Sequence, residues 1–126
     1  MSEIISKKLL THSYVSTDLA IIIPTKDRPN EVDRLLKSIT ELDCKVGRII
    51  VVVSGQNIQD VVMAYSEFLP VEFQYSESGQ IKQRNKGISL LNESTKLVAT
   101  IDDDATFSKT AVSEMIQFWN TIDIDT

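Results

Sequence analysis

Short apolar runs alternate along the chain with longer stretches in which apolar residues recur every three or four positions. Leu19 to Ile23 is a continuous apolar run closed by Pro24. Such a run is the pattern of a strand buried on both faces, most often in a parallel sheet. After a polar turn, Val32, Leu35, Leu36, Ile39 and Leu42 recur at helical spacing. Pro29 suits the first turn of that helix, and Glu31 and Asp33 suit its positive end. Arg48 to Val53 repeats the strand pattern and stops at Ser54-Gly55. Residues 57–68 predict a second helix, with Val61, Val62, Tyr65 and Phe68 on its apolar side and Pro70 as its stop. Val71 to Tyr75 alternates, which predicts a strand with one exposed face. Residues 80–92 predict a third helix with Ile81, Ile88 and Leu91 turned inward. Lys96 to Ile101 is a fourth strand. Residues 108–121 follow as a fourth helix, with Ala111, Met115, Phe118 and Trp119 as its stripe.

Strand and helix in strict alternation predict an α/β fold of three layers, a mainly parallel sheet with helices on both faces. Sheets of this kind bind ligands outside the carboxyl ends of their strands. That rule selects the loops after Ile23, Val53, Tyr75 and Ile101. Residues 1–18 are polar and aperiodic and read as a lead-in, so the domain is expected over residues 19–126. Thr121 to Thr126 is polar and acidic, a solvated end or the start of a linker.

Composition narrows the function classes. A chain of 126 residues, 42% hydrophobic, suffices for one compact domain with a core of its own. The single cysteine, Cys44, excludes an intrachain disulfide and reads as a packed residue near a helix end. The single histidine, His12, sits in the polar lead-in, so no Cys–His pair is signalled. A net charge of −5 argues against nucleic acid as a partner. Small phosphorylated ligands stay compatible with it, because a bound metal ion inverts the local sign of a carboxylate cluster. No apolar run reaches the length of a membrane span and no signal-peptide pattern opens the chain. The parsimonious location is the cytoplasm, including the periphery of the membrane's inner face.

Three segments carry candidate chemistry, and each falls at a strand end or a helix start. Asp102-Asp103-Asp104 directly follows the fourth strand. Adjacent carboxylates repel one another, and a hard divalent cation such as Mg²⁺ or Mn²⁺ relieves that repulsion while keeping positions open for phosphates. The plainer reading is a solvated acidic turn before the next helix. Pro24-Thr25-Lys26-Asp27-Arg28-Pro29 follows the first strand and offers a helix start and a threonine hydroxyl to an anion. It also reads as an ordinary charged turn. Gly79-Gln80-Ile81-Lys82-Gln83-Arg84-Asn85-Lys86-Gly87 opens the third helix. There Arg84 presents a planar fork suited to a phosphate or a base edge. Neither a P-loop nor a GxGxxG fingerprint is present, and an exposed basic helix face fits the same residues.

Together and in this order, the three segments resemble family 2 glycosyltransferases of the GT-A type, over about Leu19 to Trp119. The resemblance implies a Rossmann-like half-domain that binds a nucleotide-diphosphate sugar. Asp102 and Asp104 match the family's DxD motif and would hold Mn²⁺ or Mg²⁺, with Asp103 toward the ribose. Pro24, Thr25, Lys26 and Asp27 match the segment beside the nucleobase, and Arg84 a position near the base or the diphosphate. Many relatives end the second strand in a pattern like Val-Asp-Asp-Gly-Ser. Here Val53-Ser54-Gly55 has no acid, and Ser54 is the substitute hydrogen-bonding group. Transfer in such enzymes is an inverting displacement to a saccharide or lipid-linked acceptor. The resemblance places the catalytic base and acceptor site in a further C-terminal half, so the expectation is a truncated donor domain without transfer activity of its own. Neither Asp123 nor Asp125 in the tail is nominated as the base. The sheet edge left open invites a homodimer.

Other classes meet parts of the pattern. A non-catalytic nucleotide-binding module would keep the site without the chemistry, and a degenerate structural domain would keep neither. A nucleotidyltransferase shares the sheet and carboxylates, but no glycine-rich basic loop follows the first strand. A response regulator places its acidic pair after the first strand, whereas this triplet follows the fourth.

Overall fold

A computed structural model describes residues 13–121. His12, Asp123, Asp125 and most of the expected lead-in and tail lie outside the described residues. The order is β1 (Leu19–Lys26), α1 (Pro29–Thr40), β2 (Arg48–Ser54), α2 (Gln59–Met63), β3 (Val71–Tyr75), α3 (Gln80–Ser89), β4 (Leu97–Thr100) and α4 (Ala111–Thr121). All strand pairs are parallel, in the spatial order β3-β2-β1-β4.

This order fixes the layers. From β1 to β3 the chain steps one way across the sheet, and right-handed crossovers keep α1 and α2 on one face. It then returns past β1 to form β4, so α3 crosses on the other face. Packing follows the strand period. Leu19, Ile21 and Ile23 of β1 and Ile49, Val51 and Val53 of β2 join the α1 residues Val32, Leu35, Leu36 and Ile39. Val112 and Ile116 bring α4 into the same core. On the opposite face, Ile22, Ile50 and Val52 pack with Leu90 and Leu91 at the end of α3. Arg48 ties that face together. Its guanidinium donates twice to Glu72 at 2.7 Å and once to the Leu90 carbonyl at 2.9 Å.

Pro24 does not end β1, which runs on to Lys26. A proline inside a central strand normally removes a ladder hydrogen bond. Here the carbonyls of Asp18 and Ile22 accept from Lys96 and Ile101, so even-numbered residues of β1 face β4. Pairing with β4 stops at Ile22↔Thr100, so Pro24 has no partner on its β4 side while it stays in register with Val52 of β2. The same early end of β4 opens a gap beside β1.

Three helices differ from the pattern in length or phase. α2 is helical only over Gln59–Met63, and the chain then turns, leaving Phe68 72% exposed. In α3 the buried residues are Gln83 and Gly87, while Ile81 and Ile88 face outward. The periodicity gives the helix but not its rotation. The rotation is set by close approach at Gly87, where a Cβ would lie 2.6 Å from Ile22 Cγ2. α4 begins at Ala111 and buries Val112 and Ile116, leaving Phe118 and Trp119 exposed and edge to face. The end of the expected lead-in is docked: Asn120 accepts from the Tyr14 N–H at 2.7 Å and donates to its carbonyl at 2.9 Å.

Tyr65 yields a pH prediction. Its hydroxyl donates to Asp33 Oδ1 at 2.7 Å, joining the turn after α2 to α1. Burial, then the Asp33 hydrogen bond, pushes the phenol up from 10.0 to about 12. A raised folded-state value favours the neutral form, so this stabilisation is complete below the unfolded value and is lost as pH climbs through the folded one. Urea unfolding of the parent should show stability falling across that alkaline window, and Tyr65→Phe should lose less. Equal losses would assign the titration to another group.

Candidate functional site

The strand order reverses between β1 and β4, the crevice where open α/β sheets bind ligands. A cleft of about 490 Å³ lies there. Its walls come from three segments: Pro24, Thr25, Lys26 and Arg28 after β1; Ser78, Gly79, Gln80 and Gln83 at the start of α3; and Asp102, Asp103 and Asp104 after β4.

The acidic segment is held at both ends. Asp103 accepts from the Thr25 hydroxyl at 2.8 Å, and Arg28 Nη1 stands 3.6 Å from its other oxygen. The Asp103 side chain is 13% exposed and that of Arg28 54%, so the pair has one half-buried and one wet partner. Asp102 accepts from the Gln80 amide at 3.3 Å. Farther along, the Phe107 N–H donates to Ser38 Oγ at 3.0 Å and the Lys109 carbonyl accepts from Asp43 N–H at 2.9 Å, anchoring the loop to α1 and its exit. Lys26 reaches across the mouth to Ser78 Oγ at 3.0 Å. The cleft thus sets two cations on its β1 side against three carboxylates on its β4 side. That arrangement suits a ligand that is itself anionic and arrives with a cation.

The structure brings together Pro24, Thr25, Lys26, Asp102, Asp103 and Asp104, and leaves three predicted residues outside the lining. Arg84 is exposed on α3. Ser54 is buried, paired in register with Lys26. Asp27 turns away in a left-handed conformation, φ 56°, which aspartate tolerates better than most residues. Its Oδ1 accepts from the Gln56 N–H at 2.7 Å, beneath Gly55 at φ 76°. A Cβ on Gly55 would lie 2.5 Å from that oxygen. Asp27 therefore braces the loop after β1 against the loop after β2.

Arg28, Gly79, Gln80 and Gln83 lie within the candidate segments without having been nominated individually, and Ser78 lies just before the segment that opens at Gly79. The strand-end rule points to the segment after β3. Gln83 had a subtler signal, standing four residues after Gly79 and four before Gly87. A larger cavity, about 820 Å³, lies elsewhere, lined by residues such as Leu42, Cys44, Val46, Phe68 and Pro70. Asp43, Lys45 and Glu67 also line it, but it opens at the amino ends of β2 and β3, away from the carboxyl-end crevice where such sheets bind ligands, so topology favours the smaller cleft.

The sequence model described as glycosyl transferase family 2 matches residues 20–125. The chain belongs to that family. No curated protein sequence matches it. Among solved structures it is similar to S. aureus TarS 1–349, at 20% identity and a TM-score of 0.71, covering 79% of this chain and 31% of that one. The same protein in complex with UDP-GlcNAc gives 18% identity and 0.66, covering 79% and 30%. Its UDP complex gives 17% and 0.67, covering 79% and 31%. The parallel sheet with its flanking helices is the GT-A arrangement of those structures. The chain spans less than a third of TarS 1–349.

The cleft residues fit a divalent cation of one kind. Among the described residues no three acidic, histidine or cysteine side chains converge into a protein cage. Mg²⁺ and Mn²⁺ need none, being held by one or two carboxylates with phosphate and water completing the shell. Asp102 and Asp104 offer that donor set, and the Asp104 carboxylate has no partner among the described residues.

Proposed function

We propose that the cleft between β1 and β4 binds a nucleotide-diphosphate sugar as the donor for transfer to a saccharide or lipid-linked acceptor. The observation that carries the reading is the acidic segment fixed by Thr25 and Arg28 at the switch point of a family 2 sheet. The UDP and UDP-GlcNAc complexes of TarS support a uridine donor.

In this reading Lys26 and Arg28 offset diphosphate charge from the β1 side. The first turn of α3 presents backbone N–H groups behind Gly79, with no acidic residue in that turn to oppose an anion. Asp102 and Asp104 would hold Mn²⁺ or Mg²⁺, and Asp103, anchored on Thr25, would face the ribose. The cation, when bound, supplies Lewis-acid stabilisation of charge on the departing diphosphate. Thr25 and Gln80 keep the carboxylates apart and aimed into the cleft. No residue of the cleft is assigned as the base for the acceptor hydroxyl.

Calorimetric titration of UDP, GDP and dTDP, each with and without Mn²⁺, tests this. One nucleotide should bind in a Mn²⁺-dependent manner, and Asp104→Ala should weaken it by about tenfold or more, the scale of one lost charged contact. Absence of binding by all three would sink the donor reading.

A further inference from the structure

We propose that Gln83 is the positioning residue of the cleft, its buried amide setting where Thr25, and through Thr25 the carboxylate of Asp103, stands. Only the expected effect on ligand affinity rests on the donor reading above.

Gln83 is 4% exposed, yet it lines the cleft. Its Nε2 donates to the carbonyls of Thr25 and Val52, both at 2.8 Å. Its Oε1 accepts from the Gly79 N–H at 3.3 Å. A side-chain amide has two donor hydrogens and one acceptor oxygen, and here each end is used. The two carbonyls belong to neighbouring strands, near the last paired residues Lys26↔Ser54. One side chain therefore joins the ends of β1 and β2 to the start of α3. The next link is the Thr25 hydroxyl, 2.8 Å from Asp103 Oδ2. A continuous path of hydrogen bonds runs from the first turn of α3, through the floor of the cleft, to the acidic segment.

A residue that merely filled the interface between α3 and the sheet would be replaceable by an apolar side chain of equal length. The bonding pattern says otherwise, because the carbonyls of Thr25 and Val52 would both lose the side-chain donor that joins them to α3. Gln83→Met keeps the length and removes both donors. Gln83→Glu keeps the acceptor for Gly79 and removes the donors while ionised, and on acidification its carboxyl regains one.

The measurements are the urea midpoint, amide hydrogen exchange along the chain, and affinity for UDP with Mg²⁺. In both variants, exchange at residues 76–80 and 101–105 should rise about tenfold or more beyond the change set by global stability. UDP affinity should fall about tenfold, as for one lost hydrogen-bonded contact. Lowering the pH should restore part of the local protection in Gln83→Glu and none in Gln83→Met. Parental exchange in those segments of Gln83→Met overturns the proposal. So does exchange that rises uniformly with lost stability, and so does unchanged UDP affinity beside a loosened cleft. If the parent binds no UDP, the donor reading fails, while the exchange and pH results still judge Gln83. If Gln83→Met does not fold, Gln83→Glu carries the same comparison.

Discussion

Gly87→Ala should lower the stability of the chain by about 1–3 kcal/mol, the usual cost of forcing a methyl group into a packed interface. At an exposed helical site the same change would raise stability by nearly 1 kcal/mol through helix propensity, so the predicted sign is opposite to the default. The reason is contact. α3 lies so close to β1 that the added carbon would meet Ile22 Cγ2 at 2.6 Å, and Ile22 is fully buried between neighbouring strands. Either α3 lifts away, opening the small cluster of Ile22, Ile50 and Val52, or Ile22 leaves its rotamer. Lifting α3 also pulls on Gln83, one turn earlier. Urea unfolding of the parent and the variant measures the effect. A more stable variant would mean that α3 has room against the sheet.

Asp103→Ala should separate stability from binding. Asp103 stands between two other carboxylates in sequence, and removing it relieves their repulsion. It also frees Thr25 and Arg28 of their partner. Thr25 is buried and loses a hydrogen bond to a charged group, whereas Arg28 is half in water and loses little. These terms oppose one another, so the urea midpoint should move little. UDP affinity should fall by about 10- to 100-fold, corresponding to about 1.4–2.8 kcal/mol and typical of a lost charged hydrogen bond. Carboxylates kept together for a ligand commonly show this split between function and stability. Unchanged affinity with a large loss of stability would make Asp103 a brace for the loop and nothing more.

The sheet was legible in the sequence because its central strands are apolar on both faces. Leu19–Ile23 and Arg48–Val53 leave no other arrangement than burial under two layers, and the alternation of elements then gives parallel pairing. The acidic wall was legible because three aspartates follow a strand. Helix phase was legible in α1, whose Val32, Leu35, Leu36 and Ile39 are buried as their spacing predicts, but not in α3 and α4. Ile81, Ile88, Phe118 and Trp119 are as apolar as core residues, and only the fit of Gly87 against Ile22 and of Val112 and Ile116 against the first core decides which side turns in. The extension of β1 through Pro24 was hidden for a related reason. It depends on β4 ending early, a property of the partner strand. The bracing bond of Asp27, which the family resemblance sets beside the nucleobase, and the bridging role of Gln83 lie in contacts to residues 29 and 31 positions away, which no local pattern encodes.

The central claim is that ligand and cation meet at the carboxyl ends of β1 and β4. Amide chemical-shift mapping on the isotopically labelled chain tests it most directly, with UDP and Mg²⁺ titrated first and trace Mn²⁺ added as a broadening agent. The predicted result is a set of shifts confined to Thr25–Arg28, Ser78–Gln80 and Ile101–Ala105, with Mn²⁺ broadening centred on Asp102 and Asp104. Shifts centred instead on Leu42–Val46 and Phe68–Pro70, around the larger cavity at the other end of the sheet, would contradict it.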